Sequence, residues 1–261
     1  NGWSQTVGGL NGQEFVAASL DPVNNILYAS GDFNINNYGD NIIMAFDMAD
    51  GSILWQKAID EPTGWNRLQG LVADSVNGCV YVPIEDDDGN ITVLKISKDG
   101  VLIWSSKDSG SNNWNNPPAI VLDSNQDPVL VGSMSMYQWD TDNWHNELAF
   151  VKLSKTDGSF VWANGLVRIN HLVDIYEYYD TDTSPVNIVN DVIYWGGFTF
   201  DFNNNYPTGL TVSLPADGTS LGSYGDWLYH EVLPGTSNPG QNGVDFNFNN
   251  VDFAITLVSQ S

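Results

Sequence analysis

The sequence predicts an all-β protein, a β-propeller of five four-stranded blades, from three observations. A short motif recurs along the chain, tight-turn signals separate short alternating apolar runs, and no segment repeats with a period of 3.6 residues. The motif is an alternating apolar run followed by Asp-Gly, three residues and Trp. Its copies carry Asp-Gly at 50–51, 99–100, 157–158 and 217–218, the last with Gly222 in place of Trp.

Each copy of the motif predicts a hairpin. Asp-Gly supplies a tight turn with positive φ, and the second strand contains a large aromatic residue. We expect Trp55, Trp104 and Trp162 to be buried between neighbouring blades, with the four turns at one end of the propeller. A second hairpin precedes each motif, at 16–21 with 26–31, 71–74 with 79–83, 120–123 with 128–132, and 185–189 with 192–196. Four short strands in a repeat of about 50 residues are typical of a propeller blade.

The length and the two ends of the chain predict how the ring closes. The 261 residues provide about 52 residues for each of five blades in a single domain, 1–261. The N-terminal strand, residues 3–8, is expected to complete the last blade, with Trp3–Val7 paired to Thr256–Val258. Residues 223–243 are predicted to be a long loop. Four blades plus a tail, or a segment of a larger ring, are the alternatives.

Charge excludes two classes of partner. With 8 Lys+Arg and 32 Asp+Glu, the net charge is −24, and no basic residue follows Arg168. Nucleic acids and anionic membranes need Lys and Arg, so neither is an expected partner. Salt screens the self-repulsion of such a chain. The composition therefore predicts an extracellular protein, either secreted or in saline surroundings.

The single cysteine and the hydropathy of the chain exclude three further features: an internal disulfide, a zinc site built from several cysteines and a membrane span. Cys79 is the sole cysteine, which excludes an internal disulfide and a zinc site built from several cysteines. Its apolar neighbours predict a buried, unreactive thiol. No apolar run reaches the length of a membrane span. The chain begins at Asn1 without Met or a signal peptide, so it is expected to be a processed product or a segment of a longer protein.

The Asp-Gly-x-x-x-Trp units resemble the blades of pyrroloquinoline-quinone-like and related propeller-repeat proteins, over about residues 3–200. That family includes cofactor enzymes, assembly scaffolds and adhesion modules. The segment Leu214–Asp226 resembles a motif of large virion proteins of marine tailed phages, where it stands beside such repeats. The resemblance implies a tail-fibre or other appendage protein that belongs to a larger assembly.

Enzyme chemistry has weak support in the sequence. The quinoprotein dehydrogenases that share the repeat are larger rings and typically carry an adjacent cysteine pair, so a quinone cofactor is not expected. A glycosidase would need a carboxylic acid in an apolar setting that raises its pKa. Asp201, Asp245 and Asp252 lie in such runs, although outward-facing positions of alternating strands are the favoured explanation. His145, His171 and His230 lack the spacing of metal ligands.

Calcium is the one cofactor with candidate ligands. Two acidic loops supply clustered oxygen atoms, as hard cations prefer, although neither matches the twelve-residue EF-hand loop. Soluble turns are the simpler interpretation, and no cofactor is otherwise expected. The candidate ligands are Asp86, Asp88, Asp140 and Asp142.

Loop lengths point to one end of the propeller as the binding end. In four-stranded blades, the connections between strands 2 and 3 and between successive blades share one end, and here they are long and rich in aromatic residues. Trp and Tyr stack on sugar rings and anchor protein partners. The predicted ligand-binding residues are Trp65, Trp114, Tyr137, Trp139, Trp144 and Tyr178.

The sequence as a whole therefore predicts a non-enzymatic recognition or structural module. Its expected partner is a host-surface glycan or another virion or surface protein. An extracellular glycoside-acting enzyme and a secreted lectin-like protein are the alternatives.

Overall fold

Four antiparallel sheets, arranged as the blades of a β-propeller, make up most of the computed structural model of the chain. The structure describes residues 3–4, 14–33, 40–59, 68, 70–85, 90–108, 113–114, 118–138, 143–168, 177–179, 186–201, 206–232, 248–249 and 255–257. These residues include strands and turns but no helix. Accordingly, this part of the chain has no helix of the length and apolar character that crossing a membrane requires. The predicted all-β propeller is confirmed.

Blade 1 is a meander of four strands, β1 (Glu14–Asp21), β2 (Ile26–Phe33), β3 (Asp40–Asp47) and β4 (Ile53–Ile59). The turn between β1 and β2 is held by Asp21, which is fully buried. Its carboxylate accepts hydrogen bonds from the backbone N–H of Asn24 at 2.9 Å and from the side-chain amide of Asn24 at 2.8 Å. The hairpin predicted over 16–21 and 26–31 is confirmed.

Blade 2 repeats this arrangement with β5 (Val72–Asp74), β6 (Cys79–Glu85), β7 (Ile91–Ser97) and β8 (Leu102–Asp108). Every residue of β6 is buried, and so is every residue of β7 except Ser97. Neighbouring blades cover both faces of this sheet, so its central strands are almost continuously apolar rather than alternating.

Blade 3 consists of β10 (Ala119–Leu122), β11 (Pro128–Gln138), β12 (Asn143–Leu153) and β13 (Phe160–Arg168). Its two central strands are longer than those of blades 1 and 2. The short strand β9 (Asn113–Trp114) pairs with the far part of β11, beyond the end of β10.

Blade 4 has the same plan with one strand fewer. It contains β15 (Val186–Val189), β16 (Val192–Asp201) and β17 (Tyr206–Pro215), and the short strand β14 (Glu177–Tyr179) pairs with the far part of β16. Among the described residues no fourth strand lies beside β17, because after the Asp217–Gly218 turn the chain moves to blade 3.

The C-terminal part of the chain adds strands to the outer edges of the other three blades. Its strands are β18 (Gly222–Tyr224), β19 (Trp227–Glu231), β20 (Phe248–Asn249) and β21 (Ile255–Leu257). β19 pairs with β13 of blade 3, β20 with β8 of blade 2 and β21 with β4 of blade 1. Each outer strand thereby gains a partner, which protects an edge that would otherwise be open.

Two predictions about this region are wrong, the fifth blade and part of the long loop. The propeller has four blades, because described residues assigned to a fifth blade form edge strands instead. Ile255–Leu257 pair with β4 along one edge, and residues 5–8 of the predicted N-terminal strand lie outside the described residues, so the pairing of Trp3–Val7 with Thr256–Val258 stays a prediction. Residues 223–231 of the predicted loop 223–243 belong to the β18–β19 hairpin, and residues 233–243 lie outside the described residues.

Three apolar cores lie between successive blades. One joins blades 1 and 2 around Tyr28 and Val80, the next joins blades 2 and 3 around Tyr81 and Val151, and the last joins blades 3 and 4 around Phe150. Alternate residues of a central strand therefore pack into two different cores, one on each face of the blade, because side chains alternate between faces along a strand.

A tryptophan joins each of blades 1 to 3 to the turn of the next blade. Trp55 and Trp104 are both 8% exposed, and Trp162 is half-buried. The ring of Trp104 lies against the next Asp-Gly turn, where a Cβ on Gly158 would be 2.8 Å from the ring. The Nε1 of Trp104 donates a hydrogen bond to the carbonyl oxygen of Lys155 at 3.1 Å. The same arrangement places Trp55 at Gly100, Trp162 at Gly218 and Trp3 at Gly51. The predicted interblade position of these side chains is confirmed, and the four turns share one end of the ring.

Candidate binding site

The end of the propeller that carries the Asp-Gly turns, here called the short-turn end, is fixed by buried carboxylates. Asp74 accepts backbone hydrogen bonds from Val76 and Asn77 at 3.1 and 2.9 Å. Asp123 occupies the matching place in blade 3 and receives Lys152 Nζ at 2.5 Å. Such turns leave little surface free to adapt to a ligand. Sequence reasoning missed this role, although an Asp ends the first strand of blades 1 and 2 and directly follows that of blade 3.

Lys152 is part of this framework rather than a free cation. Burial favours the neutral amine, but hydrogen bonds and charges from Asp123 and Asp127 outweigh it and raise the pKa of Lys152 above its usual value. The ammonium of Lys152 therefore stays charged and forms ion pairs with the carboxylates of both Asp123 and Asp127.

The opposite end, here called the long-loop end, carries two extended arms. The far parts of β11 and β12 continue past the body of blade 3, and those of β16 and β17 continue past blade 4. β9 pairs with the first arm and β14 with the second. β14 also lies beside β12, so the two arms are neighbours where blades 3 and 4 meet.

The strand register separates the predicted aromatic residues into two groups. Tyr137 pairs with Trp144, and Tyr178 pairs with Phe200. Trp114 pairs with Met134, three residues from Tyr137 along β11. Because strand positions alternate between faces, Trp114 lies at a position on the blade 2 face, whereas Tyr137 and Trp144 lie at positions on the blade 4 face. Trp65 and Trp139 lie outside the described residues.

The other candidate residues are only partly described. Asp86, Asp88, Asp140 and Asp142 lie outside the described residues, as do Asp245, Asp252 and His171. Within the described ranges, no group of three or more His, Cys, Asp or Glu side chains is arranged to hold a metal ion. Asp201 pairs with Glu177 across β14 and β16.

His230 contacts a carboxylate. Its Nε2 lies 2.8 Å from Oε2 of Glu147, which is fully buried. The pair crosses over Gly165, where a Cβ would lie 2.1 Å from that same carboxylate oxygen. Burial disfavours the charged imidazole, but the Glu147 carboxylate outweighs it and raises the pKa of His230. This pair ties β19 to β12 across β13.

Cys79 is fully buried in β6. Burial, the largest influence, raises the pKa of its thiol to about 11. The predicted burial of this cysteine is confirmed. A thiol with so high a pKa carries almost no thiolate near neutral pH, which supports the prediction that it is unreactive.

A groove of about 430 Å³ lies beside the open edge of β17. One wall is β17 from Leu210 to Pro215, and the other is formed by the β18–β19 hairpin and the outer strand of blade 3. The residues that line this other wall are Leu166, Ser220, Tyr224 and Trp227. The groove itself was not predicted, although Gly222 in place of the motif Trp predicts a more loosely packed outer edge for this blade.

No protein-family model matches the sequence, and no curated protein gives a significant match.

Proposed function

We propose that this propeller is a non-catalytic recognition module that binds a neutral glycan or a protein surface at its long-loop end. The observation that carries the proposal is the pair of arms, which extend blades 3 and 4 at this end alone. The opposite end consists of short turns held by buried carboxylates. Recognition residues commonly lie on segments that a rigid scaffold positions.

The junction between the arms is the proposed contact surface. Tyr137 and Trp144 occupy strand positions on the blade 4 face of the blade 3 arm, which borders it. Aromatic residues offer a large contact area with few rotatable bonds, which suits both sugar rings and protein anchors.

Two of the predicted aromatic residues are outside this surface. Tyr178 pairs with Phe200. Because Ile193 and Trp195 face blade 3, the position of Phe200 lies on the outer face of blade 4, and Tyr178 lies there with it. Trp114 is on the other face of the blade 3 arm.

Charge favours a neutral or cationic ligand. The whole chain carries −24, and Lys98 and Lys155 belong to the turns of the short-turn end. Lys155 donates to the backbone carbonyl of Asn125, so it is also committed within that end. An anionic glycan bound at the arms would meet repulsion that calcium or high salt would have to offset.

The proposed setting is the tail fibre or another appendage of a tailed phage in saline water. The resemblance of Leu214–Asp226 to virion proteins supports it, together with the acidity of the chain. The proposed partners are then a host-surface glycan or another virion protein. A secreted lectin-like protein would use the same surface.

The test compares variants on the two faces of the arm. Glycan-array binding and partner pull-down are measured for wild type, for Tyr137→Ala/Trp144→Ala and for Trp114→Ala. We expect the double variant to lose binding by about tenfold or more, which is the effect of losing one anchor, while Trp114→Ala retains it. Equal binding by all three proteins would refute the junction as the contact surface.

A glycoside-acting enzyme is the second candidate, because Glu177 and Asp201 are paired on adjacent strands beside the same junction. Cβ atoms of directly paired residues lie about 5 Å apart, a spacing compatible with carboxylates that act on one glycosidic bond. Incubation of bound glycans with wild type and Asp201→Asn decides between the two. Turnover by wild type that Asp201→Asn lacks would replace the binding proposal with the enzymatic one.

A further inference from the structure

Blade 4 ends one strand early, and an open groove lies where its fourth strand would be. β17 pairs with β16 along one edge. After Gly218 the chain enters the β18–β19 hairpin, which belongs to the sheet of blade 3. The groove follows β17 from Leu210 to Pro215 along its other edge. An open strand edge beside a groove is the arrangement to which an extended segment can add as a further strand.

The complete blades show what the groove lacks. In each, the fourth-strand Trp is paired with a third-strand residue, as in Trp55 with Ala45, Trp104 with Lys95, and Trp162 with Lys152. These three partners are buried, at no more than 8% exposure. The matching residue of β17 is Ser213, which lies two residues before the start of its turn and is exposed.

At the blade 1 end of the ring, Trp3 packs against blade 1 although it belongs to none of the four sheets. Trp3 lies on the Asp-Gly turn of blade 1, where a Cβ on Gly51 would be 2.5 Å from its ring. Its Nε1 donates to the carbonyl oxygen of Met48 at 2.9 Å. Trp3 therefore holds the place of a fourth-strand Trp from a blade that precedes blade 1. Neither Trp3 nor Ser4 is part of a strand with β17.

The two outermost blade faces are also apolar and exposed. On blade 1, Phe15 and Leu20 are 44% and 59% exposed, on the face that holds Trp3 and Phe46. On the matching outer face of blade 4, Val189 and Tyr194 are 49% and 46% exposed. At the three interblade junctions, faces of this kind pack into a core.

We propose that blade 4 accepts the strand that begins at Trp3 from a second copy of this chain, so that copies associate head to tail. In the register of the complete blades, Trp3 of one copy pairs with Ser213 of the other. The exposed faces of blade 4 and blade 1 then pack together across the junction. The occupant is a second copy rather than the same chain, because Trp3 is already seated on its own blade 1 while Ser213 of that chain remains exposed.

Such an interface uses different surfaces on the two partners. A heterologous contact of this kind leaves a free donor on one end and a free acceptor on the other, so it builds rings or filaments. Because each copy carries −24, association is expected to strengthen as salt rises and the Debye length falls. The proposal does not depend on the ligand of the long-loop end.

Disulfide trapping tests the register. In the variant Gln5→Cys/Thr211→Cys, the two engineered residues are directly paired if Trp3 pairs with Ser213, and the native Cys79 is buried. We expect disulfide-linked dimers and longer chains on non-reducing gels after oxidation. A disulfide within one monomer would show closure by the chain's own strand and overturn the second-copy assignment. Absence of any cross-link would overturn the groove as a strand site.

The matched control is Gln5→Cys/Asn187→Cys. Asn187 is exposed on the same face of blade 4, but two strands away from Ser213 across β16. That separation exceeds the Cα distance of about 7 Å that a disulfide spans. Cross-linking of this control at the same rate would mean that the cross-links arise from random collision.

Complementation tests donor and acceptor separately. Trp3→Ala removes the donor anchor, and Ser213→Arg fills the acceptor groove at an exposed position. In sedimentation measurements we expect each variant alone to associate at least about tenfold more weakly than wild type. An equimolar mixture is expected to form one-to-one dimers, because an intact donor then meets an intact acceptor. A mixture that remains monomeric would overturn the proposal.

Discussion

The indole of Trp104 lies against Gly158 of the following blade, and the same relationship recurs at every described junction. The glycine has two functions. The φ of Gly158 is +74°, a value that is readily adopted only without a Cβ, and the absence of a side chain also makes room for the ring. The Asp-Gly dipeptide therefore both forms the turn and provides the contact surface for the Trp of the preceding blade.

Replacing this indole is expected to loosen two blades at once. Trp104→Ala should lower the free energy of unfolding by about 3–5 kcal/mol, the usual cost of truncating a buried aromatic residue. The control is Ile103→Ala, since Ile103 precedes it on the same strand and is 50% exposed. Urea titration checks both, and similar losses would contradict the interblade position of Trp104.

Gly158→Ala tests the close approach of turn and ring. Alanine there faces a positive φ and a Cβ 2.8 Å from the Trp104 ring. Gly225 has a positive φ of +64° but no atom within 4 Å of the Cβ position, so Gly225→Ala isolates the backbone cost of about 1–2 kcal/mol. Thermal unfolding should show a larger loss for Gly158→Ala. Equal losses would assign the whole effect to the backbone.

Gly165→Ala should disrupt the Glu147–His230 pair, because the new Cβ would lie 2.1 Å from the carboxylate. Gly209 is the matched strand glycine, with nothing within 4 Å of its Cβ position. We expect Gly165→Ala to be destabilising and to speed hydrogen exchange of β19, with little change for Gly209→Ala. Unchanged exchange in β19 would show that the pair does not fasten this strand.

The same pair predicts a pH dependence of stability. The folded pKa of His230 is raised above its unfolded value of about 6.5. The stabilisation it provides is therefore complete below about pH 6.5 and is lost as pH rises through the folded pKa. The difference in unfolding free energy between wild type and His230→Gln, measured by urea titration at several pH values, should shrink with rising pH. A difference that grows instead would contradict the pairing.

The repeat made most of the propeller predictable. The Asp-Gly turns and the alternating runs located the strands of blades 1 to 3, since local turn chemistry and strand period determine them. β20 and β21 were assigned to a fifth blade, because strands of two or three residues carry too little pattern to reveal distant partners. Gly222 was the one local sign that blade 4 departs from the others.

The candidate site was predictable only in its location. Loop length pointed to the end that we propose for binding, but the division of Tyr137 and Trp114 between two faces follows from strand register, which composition does not reveal. The contact between Glu147 and His230 joins residues that are far apart in sequence. Its only local signal was Gly165, since a glycine within a strand often marks a close approach.

The pairing of Ile255–Leu257 with β4 has a consequence for synthesis. About 200 residues separate the two strands, so at roughly 5–20 residues per second the edge of β4 waits on the order of ten seconds or more for its partner. Blade 3 receives its edge strand before blade 2, and blade 2 before blade 1, because β19, β20 and β21 emerge in that order. The blade that is translated first is therefore the last to be protected, and during that interval its open edge is where a nascent chain would most readily pair with the wrong neighbour.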